Sequence, residues 1–430
     1  MTGGIDRGIK QTVDWQLIII YLLLVFIGWL NIYASIHSSE AAGALAWGSR
    51  SGKQAVWILT AFILAAVILF IVNPRLWEVV SGPGYMLVLF LLIAVIFLGV
   101  EVKGSRSWFA FGPVRFQPAE ISKITTSLVL ATVMSRPNFS FGNKKDFAKV
   151  LIIVGLPFLA ILAESETGSA LVYVGLLFAL YREGLSSWFL IIILIAIALF
   201  ILTLKSSVTV SLITVAVGAV FYLWYLLKHS RPHSRERRSA MLLFLGTVAA
   251  CAVLVVSTRF AFDNVLAEHQ RKRIEVLLGM KEDPSGVGYN VRQSMIAIGS
   301  GGFAGKGFLH GTQTTYGFVP EQSTDFIFCT VGEEWGFLGC LLVLVLYGVL
   351  ISRIISDSEK CRESFTRIYG YCLASCLFMH LFINIGMTIG IMPVIGIPLP
   401  FLSYGGSSLW AFTIMLFIFI ALYRQENKYF

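Results

Sequence analysis

The sequence predicts an all-α protein that crosses a membrane many times. Of its 430 residues, 57% are apolar and 13% are charged, whereas roughly 25% are charged in a soluble globular domain. The mean hydropathy is +0.80. Apolar runs of about 17 to 25 residues recur along the chain, and an α-helix of this length spans a bilayer. These observations exclude a soluble globular chain.

The basic character of the chain does not require a nucleic-acid partner. The net charge of +9 would suggest one in a soluble protein, but positive loops at a membrane surface account for it. The six cysteines show no metal-ligand spacing, and we expect no structural disulfides. We also expect no organic cofactor. The cysteines are Cys251, Cys329, Cys340, Cys361, Cys372 and Cys376.

Twelve apolar segments are predicted to span the membrane. The first begins at Trp15 and is long enough to cross the bilayer, so we expect it to remain as an anchor. A short polar joint at Lys205–Ser207 makes residues 187–227 a helical hairpin, which we interpret as scaffold. In chain order the segments are 15–35, 54–73, 83–100, 118–135, 147–164, 168–182, 187–204, 207–227, 240–259, 324–352, 366–392 and 402–423.

The loops between these segments predict their orientation. Lysine and arginine concentrate in alternate loops and in the tail, which places those loops and both termini in the cytoplasm. The basic loop 228–238 is then inside and residues 299–313 are outside. The outer face carries four segments that are candidates for a site: 101–117, 164–168, a large extracytoplasmic loop at 259–323, and 393–401.

The first outer segment suggests an anion site. Arg106 and Arg115 flank Trp108, and guanidinium groups beside an aromatic ring suit a phosphate or pyrophosphate. Glu120 and Lys123 follow at a spacing of three on a predicted helix, so they can pair near the membrane boundary. An aromatic belt with a snorkelling lysine is the competing interpretation.

Two acids of the second outer segment interrupt what would otherwise be one continuous apolar stretch from 147 to 182. Glu164 and Glu166 lie beside Gly168 at the junction of two predicted helices. Acids at such a junction suggest a polar cavity between spans. A solvated turn at the membrane surface explains them equally well.

The third outer segment combines positive charge with glycine. Basic residues at Arg271–Arg273 precede the motifs at 283–290, 299–307 and 311–313, and Lys306 lies within the second motif. The Walker spacing is absent, so we interpret the glycines as positions where the backbone approaches a ligand or another loop. A basic amphipathic segment on the outer leaflet is the alternative.

An acid stands where this loop enters a long apolar segment. Asp325 follows Pro320 and two predicted N-caps, Ser323 and Thr324, so we expect it in the first turn of a helix. The helix dipole favours an acid there, and plain capping is one interpretation. A functional acid is the other, since the apolar run continues past Glu333 and Glu334, which look buried.

The fourth outer segment breaks a helix at membrane depth. Residues 384–408 contain prolines at 393, 398 and 400 and a pair of glycines at 405 and 406. Non-helical backbone at this depth is tolerated only where it is buried in protein or lines a cavity. We therefore predict a re-entrant loop that faces a cavity.

These motifs resemble the SEDS family (shape, elongation, division and sporulation) in order and over nearly the whole chain. They read QPAEISK, DPSGVGYN, IGSGGFAGKGFLHGTQ, FVPEQSTDFIFCTVGEEWGFLG and NIGMTIGIMPVIGIPLPFLSYGGSS. The resemblance implies a bacterial inner-membrane enzyme that polymerises lipid II into glycan strands beside a class B penicillin-binding protein. It also implies that Asp325 is the essential acid, Trp108 the outer-loop tryptophan, and Glu120 with Lys123 the pair on the fourth helix.

The chain departs from the family pattern at three places. Ser323 stands where the family usually has His, and the junction ESETGS puts Glu166 where Asp is usual. The family usually has about ten spans. The predicted pair of helices and basic loop at 187–239 would therefore be an insertion into a single domain, residues 1–430.

The mechanism implied by the resemblance needs a base for an acceptor hydroxyl and cations for a departing pyrophosphate. Asp325 is the candidate base, and it could instead hold a divalent cation, Mg²⁺ or Mn²⁺. A lipid II flippase or a non-catalytic scaffold among elongation-complex membrane proteins are the alternatives. The substrate-binding candidates are Trp108, Arg106, Arg115, Glu120, Lys123, Glu166, Arg271, Arg273, Lys306, Gln313, Glu321 and Ser403.

Overall fold

A computed structural model describes residues 13–36, 48–102, 104–112, 114–229, 235–264, 266, 268–281 and 286–427. It is almost entirely helical. The helices are α1 Trp15–Ile36, α2 Arg50–Phe70, α3 Arg75–Leu98, α4 Pro118–Met134, α5 Lys144–Ala163, α6 Thr167–Arg182, α7 Trp188–Lys205, α8 Val208–His229, α9 Arg235–Asn264, α10 Glu268–Leu277, α11 Val287–Ser300, α12 Thr312–Thr315, α13 Ile327–Lys360, α14 Ser364–Thr388 and α15 Gly406–Asn427.

Each of the twelve predicted spans corresponds to one of these helices, so the prediction of a polytopic all-α membrane protein is confirmed. Ten helices of the described chain are long and apolar enough to cross a membrane. The other two predicted spans are shorter: α4 has 17 residues and α6 has 16.

The first outer segment contains strands that the sequence did not predict. β1 Val100–Val102, β2 Ser105–Phe111 and β3 Val114–Phe116 form an antiparallel sheet in the order β1-β2-β3. Val100 is paired with Trp108, and Ala110 with Arg115. The alternation of serine, arginine and aromatic residues in β2 is typical of a half-buried strand, but the run is short and lies between strongly apolar segments.

The chain forms two compact units. The first comprises residues 1–185 and 290–430, and the second comprises 186–289 with α7 to α10. The second unit contains the predicted hairpin at 187–227, which the structure confirms as two helices. The interpretation of 187–239 as an insertion stays a prediction. The basic loop 228–238 lies partly outside the described residues, as does the motif at 283–290.

The core of the first unit is built around α14. In its most apolar window, 72% of the residues are buried, compared with 17% for α5. It packs against α4, α6, α13 and α15. Because most of α14 is buried, polar side chains on its buried faces must find partners within the protein.

α13 is interrupted near its N-terminal end, where a neighbouring loop donates hydrogen bonds to its carbonyls. Gly336 has φ 65° and ψ −158°, a conformation that favours glycine. The carbonyls of Glu333 and Glu334 accept hydrogen bonds from Lys306 N and Gly307 N, each 3.0 Å long. The glycine motif at 299–307 therefore approaches another segment of the chain, which is one of the two predicted roles of its glycines.

The predicted re-entrant segment is a non-helical loop between α14 and α15. Residues 389–405 contain no helix, and Val394, Ile397, Leu399, Phe401 and Leu402 are buried. The predicted break of the helix is confirmed and this backbone is buried in protein, whereas the prediction that the loop faces a cavity stays a prediction. We call residues 393–405 the proline loop.

Candidate functional site

Asp325 lies in a turn before α13 rather than in its first helical turn. The helix begins at Ile327 with Phe326 as its N-cap residue, and no side chain caps it. The predicted N-caps Ser323 and Thr324 are therefore wrong. Their carbonyls are instead engaged by the proline loop, and this tertiary contact holds the chain in a turn.

Three consecutive carbonyls fix the backbone of this turn. Ser323 O accepts from Tyr404 N at 2.8 Å, and Thr324 O accepts from Ser403 Oγ at 2.6 Å. Asp325 O accepts from Asn384 Nδ2 at 2.9 Å. The donors come from the proline loop and from α14, so the turn is anchored on two sides.

The carboxylate of Asp325 faces the same loop. A Cβ added to Gly396 would lie 3.2 Å from Asp325 Oδ2. Gly396 has φ +78°, so glycine is favoured there by its backbone as well as by the nearby oxygen. Asp325 itself is half-buried. A firmly held backbone with a partly accessible carboxylate suits an acid that must meet a ligand.

Arg50 is a cation beside this turn that the sequence analysis did not select. Its Nη1 donates to Ser323 Oγ at 2.8 Å, and its Cζ lies 6.0 Å from the centre of the Tyr404 ring. Ser323 occupies the position where the family usually has His. A lone arginine at the start of an apolar segment gave no signal in the sequence, because only the fold brings it near Asp325.

The predicted pair of Glu120 and Lys123 is confirmed and deeply buried. Lys123 Nζ lies 2.9 Å from Glu120 Oε1, and their side chains are 1% and 4% exposed. His380 of α14 provides a second partner, with Nε2 2.9 Å from Lys123 Nζ. His380 was not predicted, although an ionisable residue within an apolar span is a signal of function or of polar partners.

Glu166 holds the outer sheet against the α5–α6 junction. Its Oε1 accepts from Ser105 Oγ at 2.8 Å and from Ser107 Oγ at 2.7 Å. Ser107 precedes Trp108, which is half-buried, so Glu166 positions the strand that carries the tryptophan. Arg106 is exposed and lies 3.5 Å from Glu101, a weak surface pair.

Three of the four predicted outer segments contact one another: 101–117, 164–168 and 393–401. Besides the contacts of Glu166 and Asp325, α6 packs on the proline loop through Gly168, where an added Cβ would lie 2.8 Å from Ile397. Arg115 is exposed on β3. The sequence placed all four segments on one face, and within the first unit the structure brings these three into contact.

Glu164 is a buried acid of a different kind. It is 2% exposed, and neither carboxylate oxygen has a hydrogen-bond partner among the described residues. Burial, followed by the neighbouring charge of Glu166, raises the pKa of Glu164 to about 9. Glu164 is therefore neutral at physiological pH.

The motif at 311–313 binds a carboxylate of the protein itself. Thr312 N and Gln313 N each lie 2.8 Å from Glu333 Oε1, and Thr314 N lies 2.8 Å from Oε2. Lys306 Nζ adds an ion pair at 2.7 Å. These contacts account for the positions of the Lys306 ammonium group and of the Gln313 backbone N–H without a bound ligand. Glu333 and Glu334 are both buried, as predicted.

Of the remaining predicted residues, one lies in the turn before Asp325 and two lie in the second unit. Glu321 accepts from Thr324 Oγ1 at 3.0 Å and has φ +55°, so it shapes the turn before Asp325. Arg271 and Arg273 lie on α10 in the second unit and are half-buried. Their role as clamps for pyrophosphate stays a prediction.

The described residues contain no cluster of three or more His, Cys, Asp or Glu side chains that could hold a metal ion. Asp325 offers one carboxylate in this turn, and its Oδ2 lies beside Gly396. Mg²⁺ is usually bound through one or two carboxylates together with phosphate groups of a substrate. A cation at this position would therefore fit only if a bound phosphate completed its coordination.

Comparisons with known proteins give the family. A family model described as a cell cycle protein, for FtsW, RodA and SpoVE, matches residues 14–230 and 237–428. The peptidoglycan glycosyltransferase MrdB of Escherichia coli K12 is 33% identical over 401 residues, covering 93% of this chain and 90% of that protein. The peptidoglycan glycosyltransferase RodA of Treponema pallidum is 32% identical over 436 residues, covering 94% and 95%.

A solved structure supports the fold. A chain from a peptidoglycan synthase complex that coordinates polymerisation and crosslinking has a TM-score of 0.68 with 24% identity, covering 96% of this chain and 98% of that one. Within the family, we expect the GSGG, GKG and GTQ segments between residues 299 and 313 to resemble RodA most, and a RodA is among the relatives of this chain. From its motifs, its helices and its relatives, the chain belongs to the SEDS family, that of FtsW, RodA and SpoVE.

Proposed function

We propose that this protein is a peptidoglycan glycosyltransferase that polymerises lipid II into glycan strands during cell elongation and maintenance of rod shape. The observation that carries the proposal is the Asp325 turn. Three successive carbonyls are held by Tyr404, Ser403 and Asn384, and the carboxylate is left half-buried beside Gly396. Relatives at 32–33% identity over most of the chain are peptidoglycan glycosyltransferases.

The reaction transfers a sugar from an undecaprenyl-pyrophosphate donor to the 4-hydroxyl of an acceptor sugar. Asp325 accepts the hydroxyl proton while the oxygen attacks the donor's anomeric carbon. The bond from that carbon to the pyrophosphate oxygen breaks, and the lipid pyrophosphate leaves with the bonding electrons. A cation is needed to stabilise the leaving group.

Three arginines of the first unit support this cationic role. Arg50 lies against Ser323, two residues before Asp325. Arg106 and Arg115 are exposed on the outer sheet beside Trp108. The surface pair of Arg106 with Glu101 costs little to open, since exposed ion pairs contribute about 0–1 kcal/mol.

A divalent cation is the alternative role for Asp325. Mg²⁺ or Mn²⁺ shared between this carboxylate and the donor's pyrophosphate would supply positive charge at the leaving group. The proton would then pass from the acceptor to another base or to water.

The setting proposed for this reaction is the bacterial inner membrane. Alternating basic loops favour cytoplasmic termini and an extracytoplasmic site. The likeness to a chain of a peptidoglycan synthase complex supports a crosslinking partner, and we propose a class B penicillin-binding protein, together with other membrane proteins of the elongation complex.

The test is glycan-strand synthesis from purified lipid II in detergent, with no other polymerase present and with the penicillin-binding partner added in a second arm. Glycan products of several disaccharides are expected. If only the second arm forms glycan, the partner is an activator. If neither does, and the chain instead moves lipid II across a vesicle bilayer, the proposal is wrong and the flippase interpretation replaces it.

A further inference from the structure

His380 lies between two parts of the molecule that the sequence treats separately. On one side is the buried pair of Glu120 and Lys123 on α4, and on the other is the proline loop. His380 Nε2 lies 2.9 Å from Lys123 Nζ, and its Nδ1 lies 3.0 Å from Pro398 O. The residue is 1% exposed, so water cannot replace either partner.

The chemistry of these two contacts fixes the state of the imidazole. Pro398 O can only accept a hydrogen bond, so Nδ1 carries the proton and donates it. Lys123 has an ammonium group that can only donate, so Nε2 must accept. The neutral ring with hydrogen on Nδ1 satisfies both contacts.

Lys123 needs this acceptor. Its ammonium group has three N–H bonds, of which one can point to Glu120 Oε1, one to His380 Nε2 and one to the Phe412 ring, 4.9 Å away. A buried ammonium without acceptors would be costly. The Lys123–His380 hydrogen bond therefore has a defined geometry, because each N–H bond of the ammonium group has its own partner.

One turn further along α14, a second side chain holds the proline loop and also the turn that carries Asp325. Asn384 follows His380 by four residues and lies on the same helical face. Its Nδ2 donates to Ile397 O at 2.7 Å and to Asp325 O at 2.9 Å. His380 and Asn384 thus hold the consecutive carbonyls of Pro398 and Ile397, next to Gly396 against the Asp325 carboxylate.

We infer that His380 is a positioning residue for the reaction at Asp325. It acts indirectly, by coupling the Glu120–Lys123 pair to the proline loop. The inference rests on the proposed function. The imidazole does not touch Asp325. It sets the position of the loop backbone that faces the carboxylate, and a displacement of about 1 Å can reduce an enzyme's rate by up to about a hundredfold.

The test compares two substitutions at this position with one matched control. His380→Gln keeps a donor for Pro398 O and an acceptor for Lys123, whereas His380→Leu keeps neither. The control is Tyr369→Phe, which removes a buried 3.1 Å hydrogen bond from the same helix to Met415 O, away from the proline loop. Polymerisation of purified lipid II gives kcat and KM, and hydrogen exchange reports on the amides of residues 394–397 and 399.

We expect His380→Leu to lower kcat by about tenfold to a hundredfold, with KM changed less than about threefold and faster exchange in the proline loop. His380→Gln should keep at least about a third of the wild-type kcat. Tyr369→Phe should lower thermal stability without changing kcat.

Three results would overturn the inference: a normal kcat for His380→Leu, equal damage in Gln and Leu, or unchanged exchange at 394–399. A wild-type chain without polymerase activity would overturn the proposed function. The exchange comparison would still decide whether His380 holds the loop.

Discussion

Asp325 and Glu333 stand eight positions apart at the outer end of the same chain segment, and the protein treats them in opposite ways. Glu333 is fully buried, with three backbone N–H groups and the Lys306 ammonium on its carboxylate. Asp325 is half-buried, and the hydrogen bonds described above hold its backbone. A carboxylate saturated by the fold is an anchor, whereas a fixed backbone with a more accessible carboxylate is suited to chemistry.

The comparison makes its strongest prediction for Asp325→Asn. Asn keeps the size of the side chain but removes its charge and basicity. We expect the rate of glycan synthesis to fall about a hundredfold or more, at least about 3 kcal/mol of activation free energy, while thermal stability changes little. The measurement is glycan product per minute from lipid II at two magnesium concentrations.

Asp146→Asn is the matched control, since Asp146 is an acid in the first turn of α5 whose carboxylate binds Lys149 and the N-cap residue Asn143. It should leave the rate unchanged. Partial recovery of Asp325→Asn by excess magnesium would assign the cation role. Normal synthesis by Asp325→Asn would remove this residue from the mechanism and bring the flippase interpretation forward.

Glu120 and Lys123 extend the comparison to a second buried charge, the Lys123 ammonium, which the protein's own side chains hold. Glu120→Ala should cost about 3 kcal/mol of unfolding free energy, because the buried Lys123 ammonium loses its carboxylate. The double variant Glu120→Ala/Lys123→Ala should cost less than Glu120→Ala alone. Thermal and denaturant unfolding in detergent measure both.

The exposed pair of Asp146 and Lys149 has the same spacing of three and supplies the control. Removing Asp146 there should cost less than about 1 kcal/mol. If the double variant at 120 and 123 is less stable than either single variant, the two side chains contribute separately and the pairing argument fails.

Glu333→Gln tests the anchoring role directly. The amide keeps one acceptor oxygen but turns an NH₂ group toward backbone N–H donors, so we expect a loss of about 2 kcal/mol of stability. Activity of the folded variant should stay within about threefold of wild type. A variant that folds normally but makes no glycan would mean that Glu333 takes part in the reaction. The proposed difference in role between Glu333 and Asp325 would then be wrong.

The smallest expected effect concerns Glu164. Its carboxyl group is buried, and neither oxygen has a hydrogen-bond partner among the described residues. Its pKa, raised to about 9, means that the carboxyl is neutral in the folded protein and ionises in the unfolded chain. The wild type therefore loses stability as pH rises from about 4.5 to about 9. Glu164→Gln removes this dependence and should be more stable by at least about 1 kcal/mol at pH 8, and equal to wild type near pH 4.

Melting temperatures of both proteins from pH 5 to pH 8 check this prediction. A constant difference across the range would mean that Glu164 is ionised in the folded protein. The Glu333→Gln variant, measured alongside, should stay destabilised throughout this range.

The sequence by itself determined the membrane class, the twelve helical segments and the position of the central acid. These features follow from local properties: apolar length sets a span, and prolines 393, 398 and 400 end one. The spacing of Glu120 and Lys123 was also sufficient to predict their pair, because residues three apart on a helix are neighbours.

Only the tertiary structure decided which polar groups hold each other. Ser323 and Thr324 looked like helix caps, but the proline loop takes their carbonyls and α13 begins later. Lys306 was predicted to bind pyrophosphate, which stays a prediction, and only the fold shows that it pairs with Glu333. Arg50 carried no local signal, and His380 carried only that of an ionisable residue within an apolar span. Each of these contacts joins residues far apart in sequence, and buried polar groups select their partners by distance in the folded chain.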